Sequence, residues 1–270
     1  MHKVKVKIEK ISKLRLVLLV LTTIFVGGSI VSCSSNNEIT SGLLAPEPAD
    51  YSGGVIQVYS ARTKGAKQTV SVHTWFSVKR ANDSFYTSYE IIGWRLRRND
   101  TALVVRTTKP DRDWWGHQPK LLLDHRTGNV DELIDKIEAA VESYEFKSEY
   151  QAYPGPNSNT FTASIARAVP ELGLDLPSTA IGKDYKTLSE FIGRSASGGL
   201  QASFLGLLAL TIGKEEGLEL NILGLNFEFD VFDLAIELPA IGRIGTDAAT
   251  VNTTHIISIE NKETIIKTAN

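Results

Sequence analysis

The sequence predicts an α+β domain in which an antiparallel sheet packs against helices. Three observations support this class. Apolar and polar residues alternate between residues 54 and 108, the segment 130–146 has the spacing of an amphipathic helix, and a helix-start pattern begins near residue 154. The chain has 270 residues, of which 42% are hydrophobic and 22% charged. This composition is typical of a packed globular protein and unlike that of a disordered chain.

The first half of the domain predicts an antiparallel meander. Its four candidate strands are 54–62, 69–80, 84–98 and 101–108. The second candidate alternates most clearly, with Val70, Val72, Thr74, Phe76 and Val78 on one face and Ser71, His73, Trp75 and Ser77 on the other. Asn99 and Asp100 provide the hairpin residues between the last two strands. The polar and aromatic segment 109–119 is predicted to be a loop.

Two helices are predicted after this meander. Over 130–146, one stripe contains Val130, Leu133, Ile134, Ile137, Val141 and Tyr144. A Pro/Gly/Asn turn at 154–157 leads into a second helix, which Pro170 ends.

The region beyond Pro177 consists of apolar runs that glycine interrupts. Residues 214–217 suit a turn, and their flanks suit buried strands of the same domain. The alternative, in which 200–212 inserts into a membrane, is less favoured because the run contains only about a dozen residues. The tail from residue 246 is polar and predicted to be peripheral.

The N-terminal segment has the features of a secretory signal. Six of the first fifteen residues are Lys or Arg, and the apolar stretch 14–33 follows and ends at Cys33. Residues 30–33 resemble the lipobox of bacterial lipoproteins, in which the cysteine is acylated and becomes the mature N-terminus. The resemblance implies lipidation at Cys33 and a membrane-anchored protein of the bacterial cell envelope. Since Ser34 is not the aspartate of an inner-membrane retention signal, the periplasmic face of the outer membrane is favoured. An uncleaved signal anchor with an incidental cysteine is the alternative.

Residues 34–54 are rich in Ser, Asn, Pro and Gly, and they predict a flexible tether between the lipid and a single domain at 55–245.

Several function classes are excluded by composition. Without its basic first residues the chain is acidic, which argues against a nucleic-acid partner. Cys33 is the only cysteine, so an internal disulfide and an internal thiol nucleophile are both excluded. His117 and His125 lie in predicted loops without the spacing of metal ligands, so no metal site is predicted. No nucleotide, haem or flavin motif is present, and no cofactor is predicted.

Residues 157–161, Asn-Ser-Asn-Thr-Phe, resemble the Asn-Cys-Asn-His-Phe type of nucleophile motif in circularly permuted papain-fold (NlpC-like) peptidases. Ser replaces Cys and Thr replaces His. In those enzymes a strand bearing a histidine precedes the nucleophile helix, and His73 precedes Ser158 by 85 residues here. The resemblance implies a permuted papain-like arrangement, with Ser158 in the position of the nucleophile.

The chemistry of such a site can be assigned residue by residue. A serine hydroxyl must transfer its proton to a base, and His73 would serve if its ring lay roughly 2.6–3.2 Å from the hydroxyl. Glu90, on the neighbouring strand, would orient the ring. Asn157, or the backbone N–H groups of Ser158 and Asn159, would hold an oxyanion.

Each of these residues also has a purely structural interpretation. Ser158 and the two asparagines suit a helix cap and its turn. His73 suits a buried, hydrogen-bonded position, and Glu90 suits a surface ion pair with Arg95 or Arg97. The four tryptophans suit core or rim packing; they are Trp75, Trp94, Trp114 and Trp115.

Longer segments of the chain resemble a family of bacterial envelope proteins known only as a domain of unknown function. These segments are 57–79, 89–97, 154–185 and 238–245. The resemblance implies one domain over about 55–245 and brings no activity.

Three hypotheses follow for function. The first is a degenerate papain-like module that binds a cell-envelope ligand, peptidoglycan or lipid. The second is a serine-nucleophile hydrolase or acyl or peptidyl transferase that acts on envelope amides or esters. The third is a structural or assembly lipoprotein. The sequence leaves open whether the protein is an enzyme.

Overall fold

The computed structural model describes residues 44–65, 70–214, 217–230, 235–238 and 242–245. The chain divides into Met1–Glu38 and Ile39–Asn270, and every described residue belongs to the second unit. The predicted signal segment, Cys33 and the predicted tail from residue 246 lie outside the described residues and stay predictions.

The first sheet has five antiparallel strands in the order β4-β3-β2-β1-β5. They are β1 (Val55–Arg62), β2 (Val72–Lys79), β3 (Thr87–Ile91), β4 (Leu103–Thr107) and β5 (Lys120–His125). The predicted meander is thereby confirmed for β1 to β4. Its third strand is shorter than expected, because Gly93–Arg97 forms a 3-10 helix. The fifth strand was not predicted, and it places His125 on a strand rather than in a loop.

Two helices cover one face of this sheet: α1 (Val130–Ser143) and α2 (Ser158–Ala168). The predicted stripe of α1 is buried at Val130, Ile134, Ile137 and Val141. These residues and Phe161 of α2 pack with apolar side chains of β1 and β2 in the main core. Burying such side chains is worth about 1.5–3 kcal/mol each, so the helix–sheet contact supplies most of the driving force for this layer.

The two faces of β2 point into different environments. Phe76 and Val78 belong to the core beneath the helices, whereas Trp75 packs with Tyr59 and Trp114 in a second, smaller cluster. This matches the predicted alternation, since successive side chains of a strand point to opposite faces.

Residues 44–54 pack against the first sheet. The backbone N–H of Leu44 donates to Oδ2 of Asp111 at 3.0 Å, and its carbonyl accepts from Nε2 of Gln57 at 3.0 Å. The carbonyl of Pro46 accepts from the Tyr86 hydroxyl at 2.9 Å. These contacts hold residues 44–54 to the domain. The part of the predicted tether at 34–43 lies outside the described residues and stays a prediction.

The second sheet has seven antiparallel strands in sequential order. They are β6 (Ile192–Arg194), β7 (Leu200–Phe204), β8 (Leu208–Gly213), β9 (Gly217–Ile222), β10 (Leu225–Asp230), β11 (Ala235–Leu238) and β12 (Gly242–Ile244). Strands β8 and β9 pair across the predicted turn at 214–217. The sequence predicted buried apolar strands here, but the apolar side chains of β7 to β10 point outward and the polar ones are buried. The strands were predicted, but the expected burial of their apolar residues was wrong, because the alternation of polar and apolar residues in these runs was not used.

The described part of the chain is therefore a mixed α+β fold in which strands predominate. Among the described residues, no helix combines the length and the apolar character that crossing a membrane requires.

Candidate functional site

A buried carboxylate on β3 connects the central features of the first sheet. Glu90 is fully buried, and its Oε2 lies 2.9 Å from Nε2 of His73 on β2. Its Oε1 accepts from Nη2 of Arg106 at 2.7 Å and from Nη2 of Arg112 at 2.5 Å. The sequence had offered a surface pair with Arg95 or Arg97. The structure instead gives Glu90 two arginines from β4 and the following loop, together with His73.

The protonation of this group follows from its surroundings. Burial lowers the pKa of His73 and outweighs the opposing effect of the Glu90 carboxylate. Burial by itself would raise the pKa of Glu90, but the His73 hydrogen bond and the charges of Arg112 and Arg106 bring it below its ordinary value. At neutral pH the carboxylate is therefore ionised and the ring neutral. Since an ionised carboxylate can only accept, Nε2 of His73 carries the proton and Nδ1 is the free acceptor.

The ring of His73 is fixed by aromatic neighbours. It stacks on Trp114 with a centroid distance of 3.9 Å and on Trp75 at 5.9 Å. Nε1 of Trp75 donates to the carbonyl of Pro110 at 2.9 Å, and the guanidinium of Arg112 lies 4.8 Å from the Trp75 ring. Among the described residues, no hydrogen bond to Nδ1 of His73 is found, and the residue is 5% exposed.

Two tryptophans extend this stack to the surface. Trp94 and Trp115 are each about half exposed, and their rings lie 5.7 Å and 6.5 Å from that of Trp114. Trp115 and Gly116 have φ of 54° and 81°, which forms a tight turn that presents the Trp115 ring outward. The ammonium of Lys64 lies 4.7 Å from the Trp115 ring. We call Trp94, Trp114 and Trp115 the tryptophan platform.

The region beneath the platform has an excess of positive charge. One carboxylate, Glu90, faces two guanidiniums, and Nη1 of Arg112 is enclosed without a hydrogen-bond partner in the described part of the chain. Arg106 is 41% exposed at its side chain, so one guanidinium borders solvent. Such a group favours an anionic ligand, because guanidiniums bind carboxylates and phosphates through directed hydrogen bonds.

The start of α2 is held by its two asparagines. Oδ1 of Asn157 accepts from the backbone N–H groups of Asn159 and Thr160, and Nδ2 donates to the carbonyls of Ala152 and Ile181. The hydroxyl oxygen of Thr160 accepts from the backbone N–H of Asn157, which completes a capping box. The Asn159 amide also donates to Ile181. These amides hold the helix start to neighbouring segments of the fold. The oxyanion roles of Asn157 and of the backbone N–H groups of Ser158 and Asn159 stay predictions.

Ser158 is the first residue of α2. Its hydroxyl makes no hydrogen bond with any residue that the structure describes, and its oxygen is not enclosed. The cap is Asn157 rather than Ser158, contrary to the structural interpretation of this serine.

The structure ties the helix start to β2 on both sides of His73. Asn159 donates through Nδ2 to the carbonyl of Val72 at 3.0 Å and accepts through Oδ1 from the Thr74 hydroxyl at 3.0 Å. The ring of His73, however, leaves the strand on the face opposite to Thr74. No hydrogen bond joins His73 to Ser158 among the described residues, so the predicted proton transfer lacks its contact in this structure. The catalytic roles of His73, Glu90 and Ser158 stay predictions.

A second polar cluster, which the sequence analysis missed, lies beneath the second sheet. Asp184 accepts from the side-chain amides of Gln201, Asn221 and Asn226 at 2.8, 2.6 and 3.1 Å. Its neighbour Lys183 pairs with Glu219 on β9. Burial raises the pKa of Glu219 to about 8 despite the Lys183 ammonium. The signal in the sequence was the alternation of polar residues within single strands, namely Gln201 and Ser203, Glu219 and Asn221, and Asn226 and Glu228, and the sequence analysis did not use it.

No described group of three or more His, Cys, Asp or Glu side chains has the arrangement of a metal site.

Comparisons with known proteins give one result. No curated protein and no solved structure matches the chain significantly. The matching family model covers residues 53–185, which include His73, Glu90 and Ser158 and end before the second sheet. Residues 53–185 of the chain match the family model described as "Protein of unknown function (DUF3750)".

Proposed function

We propose that the protein is a lipid-anchored lipoprotein of the bacterial envelope whose first sheet binds an anionic cell-envelope ligand, with peptidoglycan as the favoured class. The domain is a degenerate papain-like module, in which the former catalytic strand and helix are kept as a scaffold. The lipid anchor is Cys33, and its support is the lipobox-like sequence alone.

The observation that carries the binding proposal is the tryptophan platform above the Glu90 group. The exposed rings of Trp94 and Trp115 offer flat apolar surfaces. Arg106 and Arg112 offer directed donors in the Glu90 group, which His73 connects to the platform through its stack on Trp114. Ligand sites combine features of both kinds. Glu90 fixes Arg106 and Arg112, so little side-chain entropy is lost when an anion arrives. Peptidoglycan supplies both sugar rings for the aromatic surface and carboxylates for the guanidiniums.

The papain-like assignment has three supports. The order of elements is a histidine strand, a carboxylate strand and a later helix that begins at Ser158. The carboxylate is bonded to His73 through Nε2, which leaves Nδ1 as acceptor. The helix start is hydrogen-bonded to the histidine strand through Asn159. The serine in place of cysteine and the absent Ser158–His73 contact favour a module that no longer catalyses.

A tryptophan-fluorescence titration tests binding. Soluble muropeptides are added to the full chain in detergent, and a saturable change in emission is expected. Trp115→Asn removes one ring of the platform while asparagine tolerates the positive φ, so we expect affinity to fall about tenfold or more. Arg106→Gln should weaken both the binding and its salt dependence. Phe85→Ala changes a comparably exposed aromatic elsewhere and should leave affinity unaltered. The proposal fails if the wild-type chain shows no saturable change.

A hydrolase or acyl transferase is the second candidate, since Ser158 has an unbonded hydroxyl at a helix N-terminus and His73 has a free acceptor nitrogen. Its test is covalent labelling by a fluorophosphonate probe. If the probe labels wild type and Ser143→Ala but neither Ser158→Ala nor His73→Gln, this candidate is established. The proposal that the module no longer catalyses is then overturned. If neither muropeptide binding nor labelling is found in a folded chain, the structural or assembly role is the remaining hypothesis.

A further inference from the structure

The second sheet turns its apolar side away from the protein. Ten outward side chains of β7 to β11 are between 41% and 63% exposed, namely Leu200, Phe204, Leu208, Leu210, Ile212, Leu218, Ile222, Leu225, Phe229 and Ile236. We call these residues the apolar face. Apart from Ala209 and Ala235, the nearly fully buried inward side chains of the same strands are polar, namely Gln201, Ser203, Thr211, Glu219, Asn221, Asn226 and Glu228.

The polar cluster beneath the sheet fixes this orientation. Asp184 receives amide donors from three different strands, and Lys183 pairs with Glu219 at their centre. A shift of one residue in register would turn every strand over and leave these buried charges without partners. The outward position of the apolar residues is therefore built into the fold.

The apolar face is too large for an ordinary surface patch. Ten half-exposed side chains of this size present on the order of 1,000 Å², against roughly 300–600 Å² for the largest patch of a typical soluble monomer. An area of this size indicates an interaction surface.

We propose that the apolar face rests on the acyl-chain region of a lipid bilayer. In β7, β8, β9 and the described side chains of β10, each outward position is Leu, Ile, Phe or Ala. Protein interfaces carry about one hydrogen bond per 100–200 Å² and a substantial polar fraction. Four adjacent strands without an outward polar side chain suit hydrocarbon, which offers no hydrogen bonds, better than they suit another protein surface.

The dimensions of the sheet define how it would meet the bilayer. Its strands contain at most six residues and extend about 20 Å, less than the roughly 30 Å of the hydrocarbon core. The sheet therefore lies on the membrane by one face, as an amphipathic element does. Arg194 is exposed at the edge of the face next to Leu200, and Lys214 is exposed at the β8–β9 turn. Both positions suit contact with lipid phosphates.

The predicted anchor brings this face within reach of a membrane, and to that extent the inference rests on the proposed function. Leu44, the first described residue, follows Cys33 by eleven residues. A chain of this length spans at most about 40 Å, and about 18 Å on average when flexible. Leu44 itself is held by Asp111 and Gln57, so the domain cannot move away from a bilayer that holds Cys33.

Depth-dependent quenching tests the proposal in the full chain. Leu210→Cys and Ile222→Cys place an environment-sensitive NBD label on the apolar face, and Val105→Cys places it on a comparably exposed apolar residue of the first sheet. The protein is reconstituted into vesicles of phosphatidylethanolamine and phosphatidylglycerol, with and without nitroxide-labelled acyl chains. We expect roughly twofold quenching at positions 210 and 222 and none at 105, as for an element seated at the acyl boundary.

Anchoring is read separately. Flotation with vesicles is compared between wild type and Cys33→Ser to report whether Cys33 holds a lipid. Thiol labelling of the chain without an added cysteine gives a second measure of the same modification. If wild type does not float, the anchor fails. If it floats but positions 210 and 222 are not quenched, the apolar-face proposal is overturned and the anchor survives. A blue-shifted, unquenched label with 210–210 cross-linking identifies a second copy as the occupant, and without cross-linking it identifies a segment of the same chain. Equal quenching at 105 also overturns the proposal, because the contact would not be specific to this face.

Discussion

Replacing Glu90 by glutamine is the most direct test of the site beneath the tryptophan platform. Glu90→Gln keeps the size of the side chain and one acceptor oxygen but removes the negative charge. The change leaves the guanidiniums of Arg106 and Arg112 facing a neutral group. It also places an amide N–H₂ next to donors, where a carboxylate oxygen had accepted.

The expected cost follows from the burial of the partners. Removing one member of a buried ion pair costs about 3–5 kcal/mol. Arg106 is partly exposed and can turn to water, whereas the Arg112 side chain is only 16% exposed and cannot do so fully. We therefore expect Glu90→Gln to lower the free energy of unfolding by about 2–4 kcal/mol, since part of the penalty is relieved. For a domain of this size, the melting temperature should fall by roughly 5–15 °C.

Urea unfolding followed by tryptophan emission measures this change, because Trp75 and Trp114 lie beside the carboxylate group. Glu171→Gln is the matched control. It breaks the Lys136–Glu171 pair, whose side chains are 43% and 46% exposed, and should leave the free energy of unfolding close to that of wild type, because solvent screens an exposed pair. Equal stability of Glu90→Gln and wild type, within about 0.5 kcal/mol, would refute the view that this carboxylate holds the site together.

Three further predictions concern the helix start and the second polar cluster. Asn157→Ala should destabilise the chain by about 2–4 kcal/mol in urea unfolding, because it removes the cap, leaves the carbonyl of Ala152 without its donor and leaves that of Ile181 with the Asn159 amide only; a loss of only about 1 kcal/mol would indicate a cap alone. Gly182→Ala would place a Cβ 2.3 Å from the Asn157 amide at φ 96°, so a melting temperature equal to that of wild type would contradict the described packing. The raised pKa of Glu219 gives stability that is fully present below about pH 4.5 and is lost as pH rises through about 8. Glu219→Gln should flatten that slope between pH 5 and pH 8.5, and an unchanged slope would exclude Glu219 as its source.

Most of what the sequence predicted about the first sheet followed from patterns among residues close together in the chain. The alternation in β2, the stripe of α1 and the turn into α2 depend on residues within a few positions of one another. The partners of Glu90 could not be predicted in this way. Arg106 and Arg112 lie 16 and 22 residues away from Glu90. Arg95 and Arg97 are nearer in sequence, but they belong to a 3-10 helix rather than to β3.

The asparagines of the helix start show the same limit. A capping role for this segment could be inferred from residue types alone. The bonds from Asn157 and Asn159 to Ile181, and from Asn159 to Val72, join segments more than 20 residues apart, so only the folded chain brings them together. The sequence could therefore not predict that these amides bind distant backbone carbonyls.

The orientation of the second sheet depends on which of its two sets of alternating side chains faces the protein. A strict period of two separates polar from apolar residues but does not say which set faces inward. Asp184 decides this, because a buried carboxylate must be hydrogen-bonded and the amides of Gln201, Asn221 and Asn226 are the groups that satisfy it. Once these amides point inward, each alternate apolar side chain must point outward. The apolar face therefore follows directly from the polar cluster. An apolar surface that covers this face would remove it from water and stabilise the sheet.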